Sequence, residues 1–140
     1  MPRIEIRFSD VDSQGHVNHL SILEWIAHCR VRLIDERVER SAVEDIDHVL
    51  MSLEAEFLEE IFYPGNIEVS GQILEVGGKS VTTSFFVYQG VETLANAKCV
   101  NVFHDTTTKK TVPIPDELRA ALEVLNRDGF QGLKQWARST

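Results

Sequence analysis

The segment that most limits how this chain can fold carries two apolar stripes at helical spacing, side by side. Leu20, Leu23, Ala27, Val31, Ile34 and Val38 form one, and Ile22, Ile26, Cys29 and Leu33 form the other. A helix lying on a surface needs only one stripe. This one is apolar around more than half its girth, so something curved must embrace it, leaving Glu24, His28, Arg32, Asp35 and Glu39 along a wet edge. Asn18 stands where an N-cap belongs, because its side-chain oxygen can accept from the free amides of the first turn.

The remaining periodicity supplies the embrace. Ile4, Ile6 and Phe8 alternate with Arg3, Glu5 and Arg7, which predicts a first half-buried strand. Val49, Met51, Leu53, Ala55 and Phe57 alternate again after the helix. "YPG" at 63–65 then punctuates the chain before "NIEVSGQILEV", and "GGKS" turns it once more. "VTTSFFVYQ" and "LANAKCVNVF", separated by "GVET", are rich in β-branched, aromatic and small residues. A loop at 106–111 and Pro113 close the strands, and "PDELRAALEVLN" predicts a short amphipathic helix with Pro115 near its start.

The expected architecture is α+β: an antiparallel sheet of about five strands wrapped around a long central helix, plus a short C-terminal helix, with residues 1–140 as a single domain. A half-barrel of this kind leaves strand edges. A homodimer that continues the sheet across a two-fold axis, or a tetramer of such dimers, would protect them.

A net charge of −8 argues against a nucleic-acid-binding surface, which needs clustered Lys and Arg. No apolar run reaches the length of a membrane span. "MPRIEIRF" resembles neither a signal nor a transit peptide, and Cys29 and Cys99 lack Cys-x-x-Cys spacing, so a reducing, cytoplasmic location with buried, inert thiols is expected.

The stretch "SDVDSQGHVNHL" concentrates the chemistry between the first strand and the helix N-terminus, where free amides and the helix dipole favour negative charge. A carboxylate opposite such amides can attack a carbonyl, or aim water at it, while the carbonyl oxygen points into the amides. Asp10 and Asp12 are the available carboxylates, and Gly15 would let the backbone approach a ligand closely. The same residue types also serve as ordinary turn and cap residues. His16 and His19 lack a clear third and fourth ligand, so no metal is expected there.

"RFSDVDSQGHVNHLSILEWIAHCR" resembles the opening motif of the 4-hydroxybenzoyl-CoA thioesterase-like acyl-CoA thioesterases, a family of hot-dog fold. Arg7, Asp10, Asp12, Gly15, Trp25 and Arg30 occupy its places. The likeness continues in "EFLEEIFYPGNIEVSGQILEVGGKS" and "HDTTTKKTVPIP", three motifs in order over most of the chain. "GHVNH" also resembles the "HVNN" element of the related acyl-ACP thioesterases, so the carrier thiol could be CoA or an acyl-carrier protein. Ile22 stands where many relatives have Tyr, and His28 and Cys29 where an acid often precedes the helix Arg.

The resemblance implies hydrolysis of an acyl thioester to acid and free thiol without a cofactor. Asp12 would be nucleophile or general base, the amide near His19 would polarise the carbonyl, and Asn18 and His19 would orient substrate or water. Gly15 and His16 would contact substrate, with Gly77, Gly78, Lys79 and Ser80 near the CoA tail. Glu56, Glu59 and Glu60 are alternative sources of the carboxylate, and Phe57, Phe62, Tyr63, Phe85 and Phe86 are candidates for an acyl tunnel or for plain core. Two competing functions stay open: a non-catalytic acyl-thioester-binding module and, with no His-centred motif to support it, a hydratase or dehydratase.

Overall fold

The computed structural model describes residues 3–40 and 44–128, without the side chains of residues 39, 40 and 125–128. Five strands and two helices follow in the order β1 (Arg3–Glu5), α1 (His19–Arg40), β2 (Ile46–Phe57), β3 (Asn66–Val76), β4 (Ser80–Gln89), β5 (Glu92–Asp105) and α2 (Asp116–Asp128). One antiparallel sheet contains all five strands, ordered β1-β3-β4-β5-β2. This is the hot-dog architecture expected from the sequence, with α1 as the filling.

The core lies between α1 and the concave face of the sheet. Ile22, Trp25, Ile26, Cys29, Leu33 and Ile34 of α1 are buried against Val69, Ile73, Val81, Phe85, Ala97, Cys99 and Phe103 of the sheet. Leu118 and Leu122 of α2, with Ile114, close one end. Across β3 and β4, Gly71 is registered with Phe85, and a Cβ on Gly71 would lie 2.5 Å from the Phe85 ring. That position must lack a side chain for the ring to lie flat on the strand.

Three expectations are corrected. β1 ends at Glu5, because Arg7 N–H and Nη2–H both donate to Asp10 and fold 8–10 into a 3-10 turn. Phe8 therefore leaves the core and is 78% exposed, although Ile4 and Ile6 are buried as expected. The first helical stripe is not embraced along its length. Leu20 is 62% exposed and Val31 is also exposed, while Leu23, Ala27 and Val38 are half-buried, because a single curved sheet covers one flank of α1. In β2 a bulge between Leu50 and Ser52 breaks the alternation. Leu53 and Ala55 pack inward, whereas Val49, Leu50, Met51 and Phe57 are exposed on this edge strand. Of the predicted wet edge, Glu24 and His28 are exposed and Arg32 and Asp35 half-buried; the Glu39 side chain lies outside the described residues.

Candidate active site

The polar interval closes on itself before α1 begins. Asp10, 2% exposed, accepts the Arg7 N–H at 2.7 Å, and its backbone carbonyl accepts the Asn18 N–H at 2.7 Å. It is thereby committed to holding the loop. Asp12 is exposed, and its Oδ1 accepts the N–H groups of Gln14 (2.9 Å) and His16 (3.4 Å), while its own N–H donates to the His16 carbonyl. Gly15 makes the reversal at φ +83°, the left-handed region where glycine is favoured.

Asn18 caps α1 as its sequence position predicts. Its Oδ1 accepts the Leu20 N–H at 2.8 Å, and its carbonyl takes the Ser21 and Ile22 N–H groups. Of the amides in this first turn, the His19 N–H has no acceptor among the described residues. The free amide and the Asp12 loop thus stand at the same helix end.

The facing wall comes from far along the chain. The Val17 N–H donates to the Ile61 carbonyl at 2.7 Å, and His16 pairs with Phe62 as an isolated bridge, which stitches the loop to the segment following β2. Between them lies an open cleft of about 580 Å³. Asp12, His16, Val17, His19 and Ile22 form one side and residues 57–62 the other. His16 Nε2 lies 3.4 Å from Glu60 Oε2, and its ring meets Phe62 edge-on; the His19 ring meets Phe57 likewise. The cleft therefore brings carboxylates, imidazoles and the helix start with its free amide beside a wall that mixes Phe57, Leu58, Ile61 and Phe62 with Glu59 and Glu60. Those are the parts for adding water or a carboxylate to a carbonyl while its oxygen is held by an N–H.

Asp12, His16 and His19 are brought to one cleft, with Gly15 and Asn18 shaping and capping its loop. The second predicted group is not. Gly77, Gly78, Lys79 and Ser80 form the β3–β4 turn, outside the cleft of this chain, where Arg119 Nη2 donates to the carbonyls of Gly77 (2.9 Å) and Gly78 (3.3 Å) and Ile114 N–H donates to Gly78 O. Among the aromatic candidates Phe57 and Phe62 line the cleft. Phe85 is buried core, Phe86 stacks near Tyr88, and Tyr63 meets Phe8 edge-on. The sequence pointed to Glu60 only as a carboxylate near β2; its pairing with His16 had no signal, since 44 positions separate them.

Of two features elsewhere, the burial of Cys99 was expected from the sequence and the placing of His48 was not. Burial pushes the Cys99 thiol up, against the opposing effect of the nearby Arg30 charge. His48 is held between Asp35 and Asn101.

A family model described as the thioesterase-like superfamily matches residues 6–122. A search of curated proteins gives no match. Among solved structures, a predicted thioesterase from Bacillus stearothermophilus is similar at a TM-score of 0.80 and 23% identity, covering 88% of this chain and 92% of that one. A thioesterase-superfamily protein from Jannaschia sp. CCS1 is similar at 0.78 and 22%, covering 89% and 81%. A gentisyl-coenzyme A thioesterase is similar at 0.74 and 16%, covering 88% and 99%.

Proposed function

Since this chain belongs to the thioesterase-like superfamily, we propose that it hydrolyses an acyl thioester, of the kind gentisyl-coenzyme A presents to one structural neighbour, to a free acid and a thiol. The observation that carries this reading is the meeting of the Asp12 loop with the unpaired His19 N–H in one cleft. The thioester carbonyl oxygen accepts the His19 N–H, in a place where the helix end favours developing negative charge. Asp12, steadied by the Gln14 and His16 amides, acts as nucleophile or as general base on water. The carbonyl carbon gains oxygen, the C–S bond breaks, and the departing sulfur takes a proton. Asn18 fixes the helix start and His19 flanks the reacting carbonyl. Gly15 and His16 contact the substrate, and Phe57 and Phe62 offer the acyl group an apolar surface.

The thiol carrier is CoA or an acyl-carrier protein, and the 4-hydroxybenzoyl-CoA thioesterase-like branch is the subfamily this reading favours. The reaction as written requires no cofactor. We also propose a cytoplasmic homodimer, or a tetramer of dimers, formed where β2 leaves Val49, Leu50 and Met51 exposed. In such an assembly the turn of Gly77, Gly78, Lys79 and Ser80 serves the CoA tail at the cleft of another copy. Among the described residues no helix is long and apolar enough to cross a membrane.

A second reading of the base rests on a specific contact. His16 and Glu60 meet at 3.4 Å within the cleft, so Glu60 is an alternative carboxylate for activating water. Free-thiol release from a panel of aliphatic and aromatic acyl-CoA esters tests both. The expected result is turnover of some member, with Asp12→Asn slower by two orders of magnitude or more, a loss of about 2.7 kcal/mol of transition-state stabilisation. If Glu60→Gln suffers that loss and Asp12→Asn does not, the carboxylate is Glu60. Saturable binding without thiol release from any ester would replace the enzyme by a binding module.

A further inference from the structure

The strongest arrangement of ligating groups outside the cleft joins α1 to the edge strand. Asp35 on α1 and Asp47 and His48 at the start of β2 bring two carboxylate oxygens and an imidazole nitrogen within 4.8 Å of one another. His48 Nε2 lies 2.7 Å from Asp35 Oδ1. The His48 side chain is only 7% exposed, whereas that of Asp35 is half exposed and Asp47 is exposed, so the imidazole is fixed from below and the carboxylates meet solvent.

What fixes the imidazole is Asn101 of β5. This residue is 1% exposed, and its Nδ2 lies 3.0 Å from His48 Nδ1. Its Oδ1 is buried without a hydrogen-bond partner among the described residues. With the amide in this orientation its N–H donates to His48 Nδ1, and Nε2–H donates to Asp35. With the amide turned by a half-turn, the oxygen would accept from His48 Nδ1–H, and the Nε2 lone pair would face the two carboxylates, a juxtaposition that a cation between them would relieve. A histidine whose far nitrogen is anchored by a buried group, with its near nitrogen beside carboxylates, has the shape of a metal ligand and its outer support.

We propose that Asp35, Asp47 and His48 bind a divalent transition-metal ion, with Asn101 orienting the imidazole, and that the ion clamps the start of β2 to α1. One imidazole and two carboxylates suit Zn²⁺ or Mn²⁺ better than Mg²⁺, which strips its water reluctantly. Two ligands on a tetrahedral ion stand about 3.3 Å apart for metal–ligand bonds of about 2.0 Å. Asp35 therefore withdraws by a fraction of an ångström from its 2.7 Å contact, a movement its half-exposed side chain permits. Water fills the remaining positions. The proposed ion lies apart from the cleft and takes no part in the hydrolysis proposed above.

The test is calorimetric titration of EDTA-treated, dialysed protein with ZnCl₂, and separately with MnCl₂ and MgCl₂, together with thermal melts in each. The expected result is one Zn²⁺ per chain, a melting temperature that rises with Zn²⁺, and weak or absent Mg²⁺ binding. Asp47→Asn, a change at an exposed acid, should weaken Zn²⁺ at least tenfold, and His48→Gln should weaken it further. No Zn²⁺ binding by the parent overturns the proposal, as does parent-like affinity in either variant. Should His48→Gln fail to fold, Asp47→Asn decides alone.

Discussion

Single residues in this chain earn their places through backbone groups they satisfy. Asp105 is the clearest case outside the cleft: its Oδ1 accepts the N–H groups of Thr107 at 2.8 Å and Thr108 at 2.9 Å. The Thr108 amide foremost, then that of Thr107, holds its carboxyl below the usual carboxylate range. A depressed value in the folded state means that the contribution to stability is present above the unfolded pKa, about 3.9, and is lost as pH falls through the folded value. Asp105→Asn is thus expected to melt below the parent at neutral pH, with the gap closing in melts taken at about pH 3 and lower. Asp12 and Asn18 use the same device, a side-chain oxygen accepting amides two residues on. These two residues were legible because turn and cap chemistry is local. The opposite wall of the cleft was not, because residues 57–62 reach the loop through contacts distant in sequence, such as the Val17 to Ile61 hydrogen bond and the His16–Phe62 ring contact.

At the level of elements, legibility followed how far each strand's period survived its neighbours. β3 has the expected span, "NIEVSGQILEV", since turn residues bracket it on both sides, although a register shift between Ile73 and Glu75 interrupts its alternation. β2 ends at the predicted Phe57 but starts at Ile46, before the predicted Val49, and lacks the predicted faces, because the bulge after Leu50 shifts the register and an edge strand has one neighbour instead of two. β1 lost Phe8 to the Arg7–Asp10 closure, a local hydrogen bond overriding an apolar alternation. Between β3 and β4 the contact of Gly71 with Phe85 sets a sharper demand than either strand's pattern announces. Gly71→Val should lower the unfolding free energy by about 1–3 kcal/mol through overpacking. Urea denaturation would register this as a lower midpoint with an unchanged slope.

For the whole molecule, the long helix predicted the curved sheet, and its partly exposed stripe marks where one sheet's embrace stops. Leu20 and Val31 on α1 and Val49, Leu50 and Met51 on β2 leave apolar surface that a lone chain would expose to water. Sedimentation should accordingly find a dimer or a multiple of it, and Met51→Lys should shift the population towards monomer. A sedimenting monomer in the parent at micromolar concentration would refute that assembly. The strand that would join the copies is also the one whose end supplies Phe57 to the cleft, with residues 58–62 following directly. Assembly and turnover would then share a backbone, so specific activity, ordinarily independent of how much enzyme is in the tube, would fall on dilution and recover on concentration.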